Sequence, residues 1–137
     1  MKKGAALILT LLIMAVSLTL AALLVKIVYN CYASANAVLV REQAFCLAEA
    51  GLEKGKVELV HNLNWYTDLP YYLADNVQWL VKYAVGEESA LGNGSFKVVK
   101  EKGKNRLYAI GRKGSGVVVL KLTFSNPPFK SLAWSEL

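Results

Sequence analysis

The chain has 137 residues, enough for one domain with a single modest core. Its hydrophobic content of 55% is high for a soluble domain, and much of the excess sits at the N-terminus. The net charge of +6 permits contact with phosphates or anionic headgroups, whereas one histidine and two aspartates leave little from which to build a catalytic or metal centre.

Residues 4–25 form a run of 22 without a charge, preceded by Lys2 and Lys3 and closed by Lys26. A helix needs roughly 20 apolar residues to cross about 30 Å of hydrocarbon. The lysines ahead of the run predict a cytoplasmic N-terminus and an exported remainder, an asymmetry that Lys26 reduces. A removed secretory signal has an apolar region of only about 7–15 residues and then a small-residue cleavage site. This run is longer and no break follows it, which favours a retained anchor.

No proline precedes Pro70. Ile27, Val28, Cys31, Tyr32, Ala35, Val38, Leu39, Phe45, Ala48, Leu52 and Leu59 recur at mixed spacings of three and four, an apolar helix face. Arg41, Glu42, Glu49, Glu53, Lys54, Lys56 and Glu58 supply charged positions between them. The pattern predicts one helix from about Ala5 to about His61. Gly51 and Gly55 cost it about 1 kcal/mol each relative to alanine, or else they permit close packing. Cys31 and Cys46 would stand roughly 22 Å apart on that helix, too far to bridge each other. They read either as small apolar residues at a packing face or as partners for neighbouring copies.

Trp65, Tyr66, Tyr71 and Tyr72 then cluster around Asp68 and Pro70, which end the helix. The cluster reads as a loop over the end of the core, as a base-stacking patch, or as a contact with a neighbouring subunit. Four strands are predicted after it, at 77–85, 95–101, 106–111 and 117–124, separated by Gly-rich turns. Glu87 and Glu88 read as a solvated turn, and the stretch after Asn126 as a short tail. The expected fold is therefore α+β: a long N-terminal helix, its first half transmembrane, packed on an antiparallel sheet of about four strands.

No catalytic constellation is found, and neither a cofactor nor a metal is expected. His61 is the only histidine, and there is no phosphate-binding loop, H-E-x-x-H or dinucleotide glycine fingerprint. Asn93-Gly94-Ser95 is a formal glycosylation sequon on a turn. The hairpin turns are basic. Lys100, Lys102, Lys104, Arg112 and Lys113 are candidate contacts for an anion or a DNA backbone, along one edge of the sheet. Charged turns also guard edge strands against aggregation.

Two segments carry a family resemblance. Met1-Lys2-Lys3-Gly4 followed directly by the apolar run resembles the class III leader of type IV pilins and pseudopilins. That resemblance implies cleavage by a prepilin peptidase after Gly4, methylation of Ala5 and retention of the apolar segment. Farther along, Ala48-Glu49-Ala50-Gly51-Leu52-Glu53 is similar to the A-E-A-G-L-E segment of PilX-type minor pilins, which also lies some forty residues after the leader. Leu9 stands where major pilins carry a glutamate, a residue that PilX-type minor pilins and GspK-type tip pseudopilins also lack.

Together these matches imply a leader at 1–4, a transmembrane half-helix at 5–25, an extracytoplasmic half-helix at 26–61 and a sheet-bearing head at 62–137. The implied function is that of a minor pilin, a structural subunit for initiation, assembly or capping of a type IV pilus or type II secretion pseudopilus. Its implied partners are other pilins or pseudopilins through the N-terminal helix, the prepilin peptidase, and cytoplasmic membrane lipid before transfer to a surface filament. A pilus-tip DNA-binding module and a plain signal-anchored extracytoplasmic domain are the alternatives.

Overall fold

The computed structural model describes residues 2–69, 75–126 and 128–137. Helix α1 spans Lys2–His61, ending where the sequence predicts. The Asn62 N–H still bonds the Glu58 carbonyl at 2.8 Å, but the Asn62 side chain accepts from the Asn64 N–H at 3.0 Å and turns the chain out of the helix. Within the apolar run, Thr10, Ser17 and Thr19 donate back to the carbonyls of Leu7, Ile13 and Val16, each at 2.8 Å. Those hydroxyls thus need no partner from outside the helix, which is what a hydrocarbon surrounding requires.

The chain divides into two compact units, Met1–Val38 and Leu39–Leu137. The first is helix alone, and it contains the one helical stretch among the described residues that is long and apolar enough to cross a membrane. In the second, the rest of α1 packs on a five-stranded antiparallel sheet in simple sequence order: β1 Glu87–Leu91, β2 Gly94–Lys100, β3 Arg106–Lys113, β4 Gly116–Ser125 and β5 Lys130–Glu136. The α+β fold class is as expected, with one strand more than the predicted four.

Three local expectations are corrected. Residues 77–85 hold a short helix, α2 (Val77–Lys82), where a strand was predicted. The Asn76 side chain caps it, accepting from the Trp79 N–H at 2.9 Å. Val77, Leu80 and Val81 then fall on one face of α2, and Leu80 is buried together with Ala84 just beyond the helix end. Glu87 and Glu88 begin strand β1 and are not in a turn. The expected C-terminal tail is strand β5, paired to β4 from Leu120↔Glu136 to Ser125↔Lys130.

Alternating strand residues serve two cores. Phe96, Val98, Leu107, Ala109, Leu120 and Leu122 face α1, where they meet Ala44, Leu47, Ala48, Leu52 and Leu59. Val99, Tyr108, Ile110 and Val119 face the other way and are covered by Leu80 and Ala84. Both faces are thus buried at 107–110 of β3 and 118–120 of β4, where the sequence is continuously apolar. The approach of α1 to the sheet is set by missing side chains. A Cβ on Gly111 would lie 1.9 Å from the Ala44 carbonyl oxygen, and one on Gly55 would lie 2.6 Å from Leu107 Cδ2. At the rim, Lys54 Nζ lies 3.2 Å from the Glu87 carboxylate and donates to Ser89 Oγ at 3.0 Å, tying α1 to β1.

Candidate functional site

Among the described residues, α1 carries a long run of uncovered apolar side chains. Beyond the 22-residue run, Ile27, Val28, Tyr29, Tyr32, Val38 and Leu39 are all exposed, Tyr32 to 72%. Lys26, Tyr29 and Tyr32 form the mixture of cation and aromatic hydroxyl that suits a membrane–water boundary. Gly4 is exposed with open space around its Cα, and Ala5 is exposed beside it. Leu9 is exposed on the same span, and no carboxylate occurs on α1 before Glu42.

The segment 48–53 is split between two roles. Ala48, Gly51 and Leu52 face the chain's own sheet, with Ala48 fully buried and a Gly51 Cβ position 3.1 Å from Ala109 Cβ. Ala50 is half-buried against the same cluster. Glu49 and Glu53 point to solvent, and Glu53 bonds Lys56 at 2.5 Å. Four of the six motif residues therefore hold the head on its helix, leaving two carboxylates outside. Both glycines of α1's head half act as close-approach positions.

The five candidate anion contacts are not brought together. Lys100 is buried, its amine donating to the Glu101 carbonyl at 3.3 Å and lying 5.8 Å from the Phe124 ring centroid. Burial lowers its pKa from the usual lysine value, because desolvation disfavours the charged form. Lys102 stacks over Tyr66 at 5.1 Å, and Lys104 is exposed in the same β2–β3 turn. Arg112 donates to the Val81 carbonyl, and Lys97 donates to the Ala84 carbonyl at 3.0 Å, so both cap the C-terminal end of α2. Lys113 closes β3 at the opposite end from Lys102 and Lys104. The expected basic edge is thus two separate turns plus two cations employed in packing.

The aromatic loop is partly described. Trp65 packs against the main core and Tyr66 holds Lys102; Tyr71 and Tyr72 lie outside the described residues. Two carboxylates that sequence reasoning passed over organise this end of the head. Asp68 is buried and accepts from the N–H groups of Leu69 and Val85, each at 2.8 Å, while its own carbonyl accepts from the Lys102 N–H at 2.9 Å. Asp75, at φ +60°, pairs with Lys121 at 2.7 Å. The hydrogen bond from Lys121 holds its carboxyl below the usual aspartate range. An Asp just before Leu-Pro, read only as ending the helix, and an Asp-Asn pair before an apolar run, of which no reading was made, were the available signals. Cys31 and Cys46 are free and exposed, so neither is a packing residue within the chain. Among the described residues, no three His, Cys, Asp or Glu side chains converge as metal ligands. Comparison with protein-family profiles, with characterised proteins and with solved structures finds no match for this chain.

Proposed function

We propose that this chain is a minor pilin, a structural subunit that helps to initiate, assemble or cap a type IV pilus or a type II secretion pseudopilus. The observation that carries the proposal is the length of the apolar surface on α1. From residue 4 to residue 40 the only charge is Lys26. At about 1.5 Å per residue that stretch is roughly 55 Å long, against about 30 Å of hydrocarbon. About 15 residues are left over that lipid tails do not cover, and those up to Leu39 are exposed. An exposed apolar patch of that extent marks an interaction surface, and an apolar helix face is one that other helices cover.

On this reading the Met1-Lys2-Lys3-Gly4 leader is cut after Gly4 by a prepilin peptidase and Ala5 is methylated. The protein waits in the cytoplasmic membrane with its N-terminus inside and its head outside, and is then drawn into a filament. Within the bilayer, helix contacts rest on dispersion and shape, because exchanging lipid for a leucine surface gives little hydrophobic gain. Leu9 offers no carboxylate to a neighbour's N-terminal amine, which suits a terminal or initiating position and not the bulk of the shaft. The work is assembly, without catalysis and without a cofactor or metal.

Site-specific photocrosslinking in membranes tests this. A photoreactive side chain at Tyr32 is expected to yield adducts with other helical subunits, while one at Leu12 before assembly yields lipid adducts. Lipid adducts alone at Tyr32 in assembling cells would contradict the proposal.

A further inference from the structure

Two of the expected anion contacts do line one cavity. Lys100 at the end of β2 and Lys102 in the turn after it border a partly enclosed space of about 540 Å³. Leu63, Asn64 and Tyr66, from the loop that leaves α1, border it as well, and so do Asn105 and Asn126. The cavity lies wholly within the head.

Its lysines carry positive charge that nothing in the chain neutralises at contact. Lys100 is only 5% exposed, and its amine donates to a main-chain carbonyl, that of Glu101. Among the described residues, no carboxylate lies within ion-pair distance of Lys100 or Lys102. The Glu101 carboxylate acts on Lys100 only from farther away. A buried ammonium without a counter-charge is costly, and a bound anion removes much of that cost.

The remaining side chains suit more than a bare anion. Asn126 Nδ2 donates to the Leu63 carbonyl at 3.4 Å, while its Oδ1 is buried without a donor. Asn64 and Asn105 bring two further amides to the same cavity. An amide side chain both donates and accepts, as does a hydroxyl group. Sites for apolar ligands or for anchoring apolar side chains are lined mostly by apolar residues, whereas here only Leu63 and Tyr66 are of that kind. They offer the modest apolar contact that a sugar ring needs. The volume falls within the range of about 300–1,000 Å³ usual for small-molecule sites, more than a simple anion fills. We propose that this cavity binds an acidic sugar residue, its carboxylate held by Lys100 and Lys102 and its hydroxyls by Asn64, Asn105 and Asn126. This holds whether or not α1 enters a filament.

The test titrates the full chain, in a detergent without a sugar headgroup, with D-glucuronate while amide NMR signals are followed. Shifts at Lys102, Gly103 and Asn105 are expected to saturate with a Kd of about 1 mM. D-glucose, inorganic phosphate and N-acetylglutamate, which each lack part of the match, should bind about tenfold more weakly or worse. Lys100→Met should abolish binding. Lys102→Met and Asn105→Asp alter exposed side chains, so they keep the test valid if Lys100→Met does not fold. Each should weaken glucuronate about tenfold. Lys104→Met, in the same turn but outside the cavity lining, should leave binding unchanged. No saturable shift up to about 50 mM glucuronate would overturn the proposal. So would equal affinity for phosphate or N-acetylglutamate, or an equal loss in Lys104→Met and Lys102→Met, since either marks a general attraction of anions to a basic turn.

Discussion

The seating of α1 on β3 makes a sharp prediction at Gly111. An alanine there places Cβ 1.9 Å from the Ala44 carbonyl oxygen and 2.6 Å from the Ala48 nitrogen, both backbone atoms of a helix that cannot yield locally. Restoring ordinary contact requires the helix to lift by more than about 1 Å, opening the core between Ala48, Ala109 and Leu52. Overpacking of this kind costs typically 1–3 kcal/mol, and a clash with main chain belongs at or above the upper end, about 3 kcal/mol. For a unit the size of the head, each 1 kcal/mol lowers Tm by roughly 4–8 °C, so Gly111→Ala should melt at least about 12 °C below the parent. Gly51→Ala is the internal control. Its Cβ would meet Ala109 Cβ at 3.1 Å and Phe96 Cδ2 at 3.2 Å, tight contacts with side chains and not with main chain. The gain of about 1 kcal/mol in helix propensity offsets this, leaving stability within about 1 kcal/mol of the parent. Thermal melts of the full chain in detergent, followed by tryptophan fluorescence, report on the head alone because Trp65, Trp79 and Trp134 all lie there. Equal melting of the two variants would refute the helix–sheet geometry.

Other consequences are testable on the same preparation. Asp75 is held below the usual aspartate pKa of 3.8 chiefly by its hydrogen bond to Lys121. Its contribution is therefore present above about pH 3.8 and is lost as pH falls through the folded-state value. Asp75→Asn should be the less stable protein near neutrality, with the difference closing in acid, as denaturation at stepped pH would record. Asn76→Ala removes the α2 cap and should cost about 1 kcal/mol. That loss should be seen as roughly fivefold faster amide exchange at Leu80 and Tyr83, whose N–H groups bond the Asn76 and Trp79 carbonyls.

Much of this architecture is legible in the chain. The uninterrupted apolar run, the absence of proline before Pro70 and the helical spacing up to Leu59 delimit α1, and the glycines at 92, 103 and 114 mark three hairpins correctly. The failures have a common cause. Val77, Trp79, Val81 and Tyr83 alternate as a strand would, while Val77, Leu80, Val81 and Ala84 repeat as a helix would; the cap at Asn76 decided between them. Neither β1 nor β5 buries a face, so neither carries the alternation that identifies a strand. Lys100 was read as surface because lysines usually are, but β2 is covered on both sides at that point. The expected basic edge failed for the related reason that sequence gives spacing along a strand and not which cations a nearby helix end will claim. For the segment 48–53, similarity marked the position and packing against Ala109 supplies the local physics: small residues let the helix reach the sheet.

The central claim, that α1 is a retained filament-assembly helix, is tested most directly by mass spectrometry of the mature N-terminus, on protein made in cells that possess a prepilin peptidase. The account predicts a chain beginning at methylated Ala5. A chain that keeps Met1, or one cleaved after about residue 20 as a secretory signal would be, would contradict it.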